Sequence, residues 1–407
     1  MRTPQNTQPK VSKAPSLRFP EFKGEWEERR LSDIADLYKG NGISKEQLSD
    51  IGEPCILYGE LYTKYKTEVI TDIISRTNID ATKLVRSKAN DVIIPCSGET
   101  AEDIATARCV PYDNILLGGD LNIIRLHGYD GSFMSYQLNG KRKYDIAKVA
   151  QGVSVVHLYG EHLKGVKTYA PSLEEQKKIA KLLSLLDERI ATQVRIIERL
   201  ETLIRGIMVC LQRRGLKNGS WEKTFLYNVL SERKELNKQL YPVYSVSVSQ
   251  GVVNQIEYLG RSFAAKDTSN YHIVRYGDIV YTKSPTGDFP YGIVKQSYNH
   301  NNVAVSPLYG VYTPKNFSIG VFLHEYFRGK INTHNYLHPL IQKGAKNTIN
   351  ITNQHFLENK VAIPLLDDEI TSISKLLLSL NAKVELMQQT RINYEQQKQY
   401  LLRQMFI

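Results

Sequence analysis

The most regular pattern in the chain is a heptad-spaced run of apolar residues that occurs twice. Ile179, Leu183, Leu186, Ile190, Gln193, Ile197, Leu200, Ile204, Ile207 and Leu211 recur at alternating steps of four and three, and only Gln193 is polar. Such a seam lies along one face of an α-helix and demands a partner, because a long amphipathic helix owes most of its stability to packing. It predicts a helix over 171–214, opened by Ser172 with Glu175 as a capping box. The acidic pair Glu174 and Glu175 suits the positive end of the helix dipole, and Gly215 is the expected stop. A second seam runs Ile373, Leu377, Leu380, Val384, Met387, Arg391, Tyr394, Lys398, Leu401, Met405, with Arg391 and Lys398 as polar breaks. It predicts a helix within 365–407. The simplest way to bury both seams is to pair them, antiparallel.

Ahead of each helix the pattern changes. Apolar runs become short, β-branched and bounded by Gly, Asn, Asp or Pro, which is the signature of strands. Asp91–Pro95, Leu121–Leu126, Asp278–Thr282 and Val303–Val305 read this way. Short helices are expected around Phe133–Lys143 and Val321–Lys330. The fold class is α+β: two similar domains, 17–170 and 215–364, each followed by a long helix, with pseudo-twofold symmetry.

The two halves are copies. Gly24-Glu-Trp26-Glu, then Leu31-Ser-Asp-Ile34, matches Gly219-Ser-Trp221-Glu, then Leu226-Tyr-Asn-Val229, at an offset of 195 residues. Asn90-Asp-Val-Ile93 matches Gly277-Asp-Ile-Val280 at an offset of 187, and Pro171 matches Pro364 at 193. Gly152 matches Gly344. The copies share their ends and differ in the middle, as expected of two modules binding one kind of partner at different addresses.

Composition narrows the partner. Lys+Arg exceeds Asp+Glu by 53 to 42, a net charge of +11, which favours a polyanion. The 25 tyrosines suit recognition surfaces, though they also favour sheets. Cys55, Cys96, Cys109 and Cys210 form no CxxC pair and read as reduced thiols of a cytoplasmic protein. No apolar run reaches membrane-spanning length, and residues 1–16 read as a disordered tail.

Leu17-Arg-Phe-Pro-Glu-Phe-Lys-Gly-Glu-Trp-Glu-Glu-Arg-Arg-Leu-Ser-Asp-Ile34 and Pro171-Ser-Leu-Glu-Glu-Gln-Lys-Lys-Ile-Ala180 resemble the opening and the spacer-helix junction of specificity subunits of Type I restriction–modification systems. The resemblance covers nearly the whole chain from Leu17. It implies a non-catalytic subunit whose two target-recognition domains each read half of a bipartite site on double-stranded DNA. The helices 171–214 and 365–407 would act as a ruler between the half-sites. Two methyltransferase subunits, carrying S-adenosylmethionine, would dock on the helices and shared regions. Endonuclease subunits, using ATP and Mg²⁺, would join that core. This chain would bind no cofactor itself. In the second copy Asp367-Asp-Glu-Ile-Thr replaces Glu174-Glu-Gln-Lys-Lys, so the resemblance does not imply equal docking at the two ends.

The alternatives are a DNA-acting enzyme with diverged motifs and a coiled-coil adaptor without DNA affinity. No GxxxxGK[ST] loop and no HExxH occur. His157 and His162 lack an obvious third metal ligand. Asp288-Phe-Pro-Tyr291 resembles the Asp/Asn-Pro-Pro-Tyr loop of adenine methyltransferases only superficially, because Phe289 replaces the first proline; it reads as a turn. Candidate DNA-contacting residues lie where basic, aromatic and small polar side chains alternate, since phosphates need cations and base edges need forked donors or amides. In the first module they are Tyr58, Gly59, Tyr62, Lys64 and Lys66; Ser97, Gly98 and Thr100; and Lys141, Arg142 and Lys143. In the second they are Tyr244, Ser245 and Ser247; Lys283, Ser284 and Thr286; and Lys343, Lys346, Asn347 and Thr348. Each could equally be an ordinary solvated loop residue.

Overall fold

The computed structural model describes residues 13–152, 155–343 and 349–407. Unit 1 takes the residues up to Val194 together with Gln389–Ile407, and unit 2 is Arg195–Gln388. Unit 1 contains β1 (Glu27–Arg30), β2 (Ala35–Lys39), α1 (Glu60–Thr63), β3 (Asp91–Pro95), α2 (Ala101–Ile104), β4 (Arg108–Val110), β5 (Leu121–Leu126), α3 (Gly131–Asn139) and β6 (Lys167–Ala170). The long helix α4 (Leu173–Asn218) begins in unit 1 and ends in unit 2. Unit 2 contains β7 (Trp221–Phe225), β8 (Leu230–Glu232), β9 (Ile279–Thr282), β10 (Ile293–Gln296), β11 (Gly310–Pro314), α5 (Phe317–Arg328), α6 (Lys330–Leu337) and β12 (Lys360–Pro364). The second long helix, α7 (Asp367–Gln404), begins in unit 2 and ends in unit 1.

The two units share one topology. Antiparallel four-stranded sheets run β2-β5-β3-β4 in unit 1 and β8-β11-β9-β10 in unit 2. β1 pairs with β6, and β7 with β12. Strands β3 and β9 are buried along their whole length, which is why they read as unbroken apolar runs rather than alternating ones. Each follows a turn with positive φ, at Asn90 (80°) and Gly277 (88°). In each, a buried aspartate accepts a backbone N–H at 2.8 Å, Asp91 from Lys88 and Asp278 from Arg275. Each carboxylate also binds an arginine through two hydrogen bonds, Asp91 with Arg125 and Asp278 with Arg233. The cations come from different sequence positions, so the duplication kept the buried charge and changed its partner. The middles differ, as the drifting offset predicts. Unit 1 inserts a second small sheet from Leu48–Ser49, Ser75–Thr77, Glu53–Ile56 and Leu116–Leu117; unit 2 has the hairpin Tyr244–Ser247/Gly251–Asn254 and the pair His272–Val274/Val303–Val305.

The seams pair. In unit 1, Ile179, Leu183 and Leu186 share a core with Leu401, Leu402, Met405 and Phe406, with Tyr394 packed against it. In unit 2, Ile197, Ile204 and Met208 share a core with Ile370, Ile373, Leu377 and Val384; Leu200, Leu380 and Met387 pack against it. The start of α4 meets the end of α7, and the end of α4 meets the start of α7, so the pairing is antiparallel. Along α4 the buried position shifts from the heptad-expected Ile207, which is half-buried, to Met208, because a helix of 3.6 residues per turn drifts against a strict heptad.

Several details depart from expectation. Gly215 does not stop α4. It lies inside the helix, where an added Cβ would meet the Trp221 ring at 2.2 Å, and the left-handed stop is Gly219 at φ 74°. The capping box is half made: the Ser172 hydroxyl accepts the Glu175 N–H at 3.4 Å, but the Glu175 carboxylate is bound twice by Arg18 at 2.7 Å. Asp278 precedes its strand instead of opening it. The segment Phe133–Lys143 is not one helix, because α3 ends at Asn139 and Gly140 separates it from a helix over Lys143–Val149. The second short helix starts four residues early, at Phe317, capped by the Asn316 side chain, and ends at Arg328. Lys398, a polar break in the seam, is a buried residue of unit 1. Residues 1–12 of the expected tail lie outside the described residues, whereas the Lys13 carbonyl accepts the Trp26 N–H at 2.6 Å and Leu17 N–H donates to Gln404 O at 2.9 Å.

Candidate nucleic-acid interface

Two of the three segments singled out in the first module converge on one cleft of about 730 Å³ in unit 1. Tyr58, Gly59, Tyr62 and Lys66 line it from the α1 side, and Ser97 and Gly98 from the short strand before α2. The Tyr62 hydroxyl donates to Ser97 O at 2.9 Å and ties the two walls together. Burial pushes that phenol above the ordinary tyrosine value, so it stays a donor. A Cβ at Gly98 would sit 3.0 Å from the Tyr62 hydroxyl and 3.2 Å from Ile104, so glycine keeps the walls close. Ser97 Oγ lies 3.3 Å from His157 Nδ1. Lys66 Nζ donates to Tyr62 O at 2.5 Å, at the rim.

Other candidates are placed differently. Lys64 does not line the cleft; its ammonium binds Glu60 at 2.7 Å and Ser75 at 2.8 Å. Thr100 caps α2 by accepting the Asp103 N–H at 3.1 Å. Lys141, Arg142 and Lys143 lie outside the cleft. Arg142 binds Ile407 O at 2.8 Å and Asp145 at 3.0 Å, and it stacks over Tyr169. In unit 2, Tyr244 and Ser245 are half-buried in a hairpin, where Ser245 Oγ accepts from Gln255 at 3.1 Å. Ser247 is buried and bonded to Tyr258. Lys283 is half-buried, and loss of solvent lowers its ammonium below the usual lysine value. Ser284 is exposed. Thr286 and Phe289 close a tight turn with reciprocal N–H···O bonds of 3.1 and 2.9 Å, two residues ahead of the turn expected at Asp288–Tyr291. The backbone of Lys343 pairs in a short strand, and Lys346, Asn347 and Thr348 lie outside the described residues.

Sequence reasoning missed two residues under these surfaces. Arg108 on β4 lines the cleft floor. Its signal was a lone cation in Ala107-Arg-Cys-Val110. Lys295 holds the matching place in unit 2: Arg108 pairs with Ile93 across its sheet, and Lys295 with Val280 across the other. Both are buried. Burial lowers the Arg108 guanidinium and brings the Lys295 ammonium down to about 8, with Arg328 nearby reinforcing the second.

Beneath the cleft, Lys398 on α7 binds Glu68 at 2.5 Å and Asp187 on α4 at 2.6 Å, and the Tyr136 hydroxyl donates to Asp187 at 2.6 Å. Burial raises the Asp187 carboxyl, and the two carboxylates hold Lys398 charged despite its burial. Glu68 lies two residues after Lys66, so this cluster fixes the base of the Tyr58–Lys66 segment to the helix pair. Unit 2 ties α5 to its long helices with one cation, two carboxylates and an amide: Arg328 binds Asn381 at 2.8 Å and Glu201 at 3.3 Å, and Asn381 donates to Glu325 at 2.8 Å.

Among the described residues no group of three or more His, Cys, Asp or Glu could hold a metal ion. The family described as Type I restriction modification DNA specificity domain matches residues 23–202. Over those residues the chain is similar to that family. The match spans β1 through β6 and most of α4, the unit 1 cleft included. The chain is 25% identical over 291 residues to the Type I restriction enzyme MjaVIII specificity subunit of Methanocaldococcus jannaschii, covering 65% of this chain and 64% of that protein. It is 26% identical over 223 residues to the putative type I restriction enzyme MjaX specificity subunit of the same organism, covering 48% and 47%. The fold is similar to the crystal structure of the S subunit of a Type I restriction–modification system from M. genitalium, with a TM-score of 0.60 at 15% identity over 97% of this chain and 99% of that one.

Proposed function

We propose that this chain is the DNA-reading specificity subunit of a Type I restriction–modification complex, acting in the cytoplasm in defence against foreign DNA. The observation that carries the reading is the duplicated topology. Each unit has a four-stranded sheet of the same strand order and a core shared with antiparallel segments of the two long helices, and the middles have diverged. Divergent middles give two different base preferences, and shared ends give two like docking surfaces. The surplus of cations supplies phosphate affinity without sequence preference. α4, with 46 residues, is about 70 Å long at 1.5 Å per residue, a length suited to setting a constant gap between half-sites.

In this reading the chain performs no chemistry. Adenine methylation with S-adenosylmethionine belongs to two methyltransferase partners, and ATP- and Mg²⁺-dependent cleavage to endonuclease partners. No helix among the described residues is long and apolar enough to cross a membrane. The test is co-expression with a cognate methyltransferase subunit, followed by mapping of modified adenines across the host genome. A split motif with a constant gap is the expected result. Methyl transfer or cleavage by the purified chain alone, or no retention on DNA at low salt, would overturn the proposal.

A further inference from the structure

Arg108 is 9% exposed, and its Nε and Nη1 donate to the carbonyls of Tyr65 and Ala107 at 3.2 and 3.0 Å. Nη2 has no hydrogen-bond partner among the described residues, although the side chain lines the cleft. That donor opens on the cleft, where water or an occupant accepts from it. Behind it lie Glu68, Asp187 and Lys398, whose carboxylates attract it across the core. Two buried carboxylates and two buried cations balance formally. The floor therefore offers a directed donor without surplus positive charge.

The rim carries the opposite chemistry. Glu99 and Asp103 line the cleft and are exposed. Asp103 Oδ2 accepts the Thr100 hydroxyl at 2.7 Å, which leaves Oδ1, and Glu99 makes no hydrogen bond or ion pair among the described residues. Two carboxylates at the mouth repel a phosphate. The exposed Tyr58 and the half-buried Tyr62 supply flat apolar walls. An occupant that fits is planar and neutral, with an acceptor edge toward a guanidinium and a donor edge toward carboxylates. Guanine has both: O6 and N7 accept, while N1–H and the 2-amino group donate. The other three bases do not combine that acceptor pair with that donor pair.

We propose that the unit 1 cleft holds one guanine base, its O6/N7 edge toward Arg108 and its N1–H/2-amino edge toward Glu99 and Asp103. The base is either unstacked from DNA or carried by a free guanine nucleotide; the DNA source rests on the DNA-reading proposal. The test begins with the full chain titrated with guanosine monophosphate, adenosine monophosphate and inorganic phosphate. Guanosine monophosphate should bind at least tenfold better than adenosine monophosphate, and phosphate should not displace it. Arg108→Gln and Glu99→Gln should each erode that preference about tenfold. Glu99 is exposed and unbonded, so its variant reads out even if Arg108→Gln misfolds. In the DNA arm, each guanine of the mapped unit 1 half-site is replaced in turn by the fluorescent analogue 6-methylisoxanthopterin. A fluorescence rise at one position on binding assigns the base to DNA; nucleotide preference without a rise assigns it to the free nucleotide. Neither a rise nor a preference, or displacement by phosphate, overturns the proposal. Retention on DNA without guanine preference would sink this inference alone, whereas loss of DNA retention would sink the DNA-reading proposal.

Discussion

Replacing Lys398 with methionine tests whether the cluster beneath the cleft holds unit 1 together. The ammonium is buried between Glu68 and Asp187, at 2.5 and 2.6 Å. Methionine keeps most of the volume, so the packing loss is small. What remains is two buried carboxylates without their shared cation, which costs about 3–5 kcal/mol. The two tryptophans fall one in each unit, so Trp221→Phe leaves Trp26 as the fluorescence reporter of unit 1. With a urea dependence of about 2 kcal/mol per molar, the unit 1 midpoint should fall by roughly 1.5–2.5 M. The loss should also shrink on acidification. Burial already raises the Asp187 carboxyl, and removing Lys398 raises it further. A carboxyl that holds its proton more tightly when folded stabilises at low pH and loses that stability as pH rises through its native value. The deficit should therefore be smaller at pH 5 than at pH 8. Adding Glu68→Gln and Asp187→Asn should recover more than half of it. A midpoint shift equivalent to less than about 1 kcal/mol, or a deficit that grows on acidification, would refute the reasoning.

Gly215→Ala should gain up to about 1 kcal/mol of helix propensity. It should lose more than that to the Trp221 ring, 2.2 Å from the new Cβ, for a net cost of about 1–3 kcal/mol in unit 2, read by urea denaturation in a Trp26→Phe background. Lys295, brought down to about 8 by burial, binds its proton less tightly folded than unfolded, so unit 2 should gain stability between pH 8 and 10.5. The gain, of order 3 kcal/mol at most, should vanish in Lys295→Met, as thermal melts of the two proteins would show. Inserting one heptad into α4 and one into α7 should lengthen the unread gap between half-sites by about 10 Å, or three base pairs, in the mapped methylation motif, with both half-sites unchanged.

The helix seams and the duplicated ends were legible because periodicity and matched landmarks need only local order. The burial of Lys398 was not legible, because no sequence pattern pairs it with Glu68, 330 residues away. Gly215 was misread as a stop because nothing local says that Trp221 folds back against it. The convergence of Tyr58–Lys66 with Ser97–Gly98 on one cleft was partly visible as composition. Arg108 was not, since a cation inside an apolar strand reads as noise until the register shows Lys295 in the same place. Arg142 shows what composition leaves out: a basic triplet looks like a polyanion contact, and only the structure shows this guanidinium engaged by Ile407 O, Asp145 and the Tyr169 ring.

Unit 2 is one uninterrupted stretch, whereas unit 1 needs Gln389–Ile407 to complete its core. Arg195–Gln388 therefore holds all of its own core, while the residues up to Val194 depend on Lys398, Leu401, Met405 and Phe406 from the far end of the chain. The first-synthesised module is thus the last to be sealed. A chain cut after Gln388 keeps the core of the second module and opens the first, whose apolar seam Ile179-Leu183-Leu186 loses its partners.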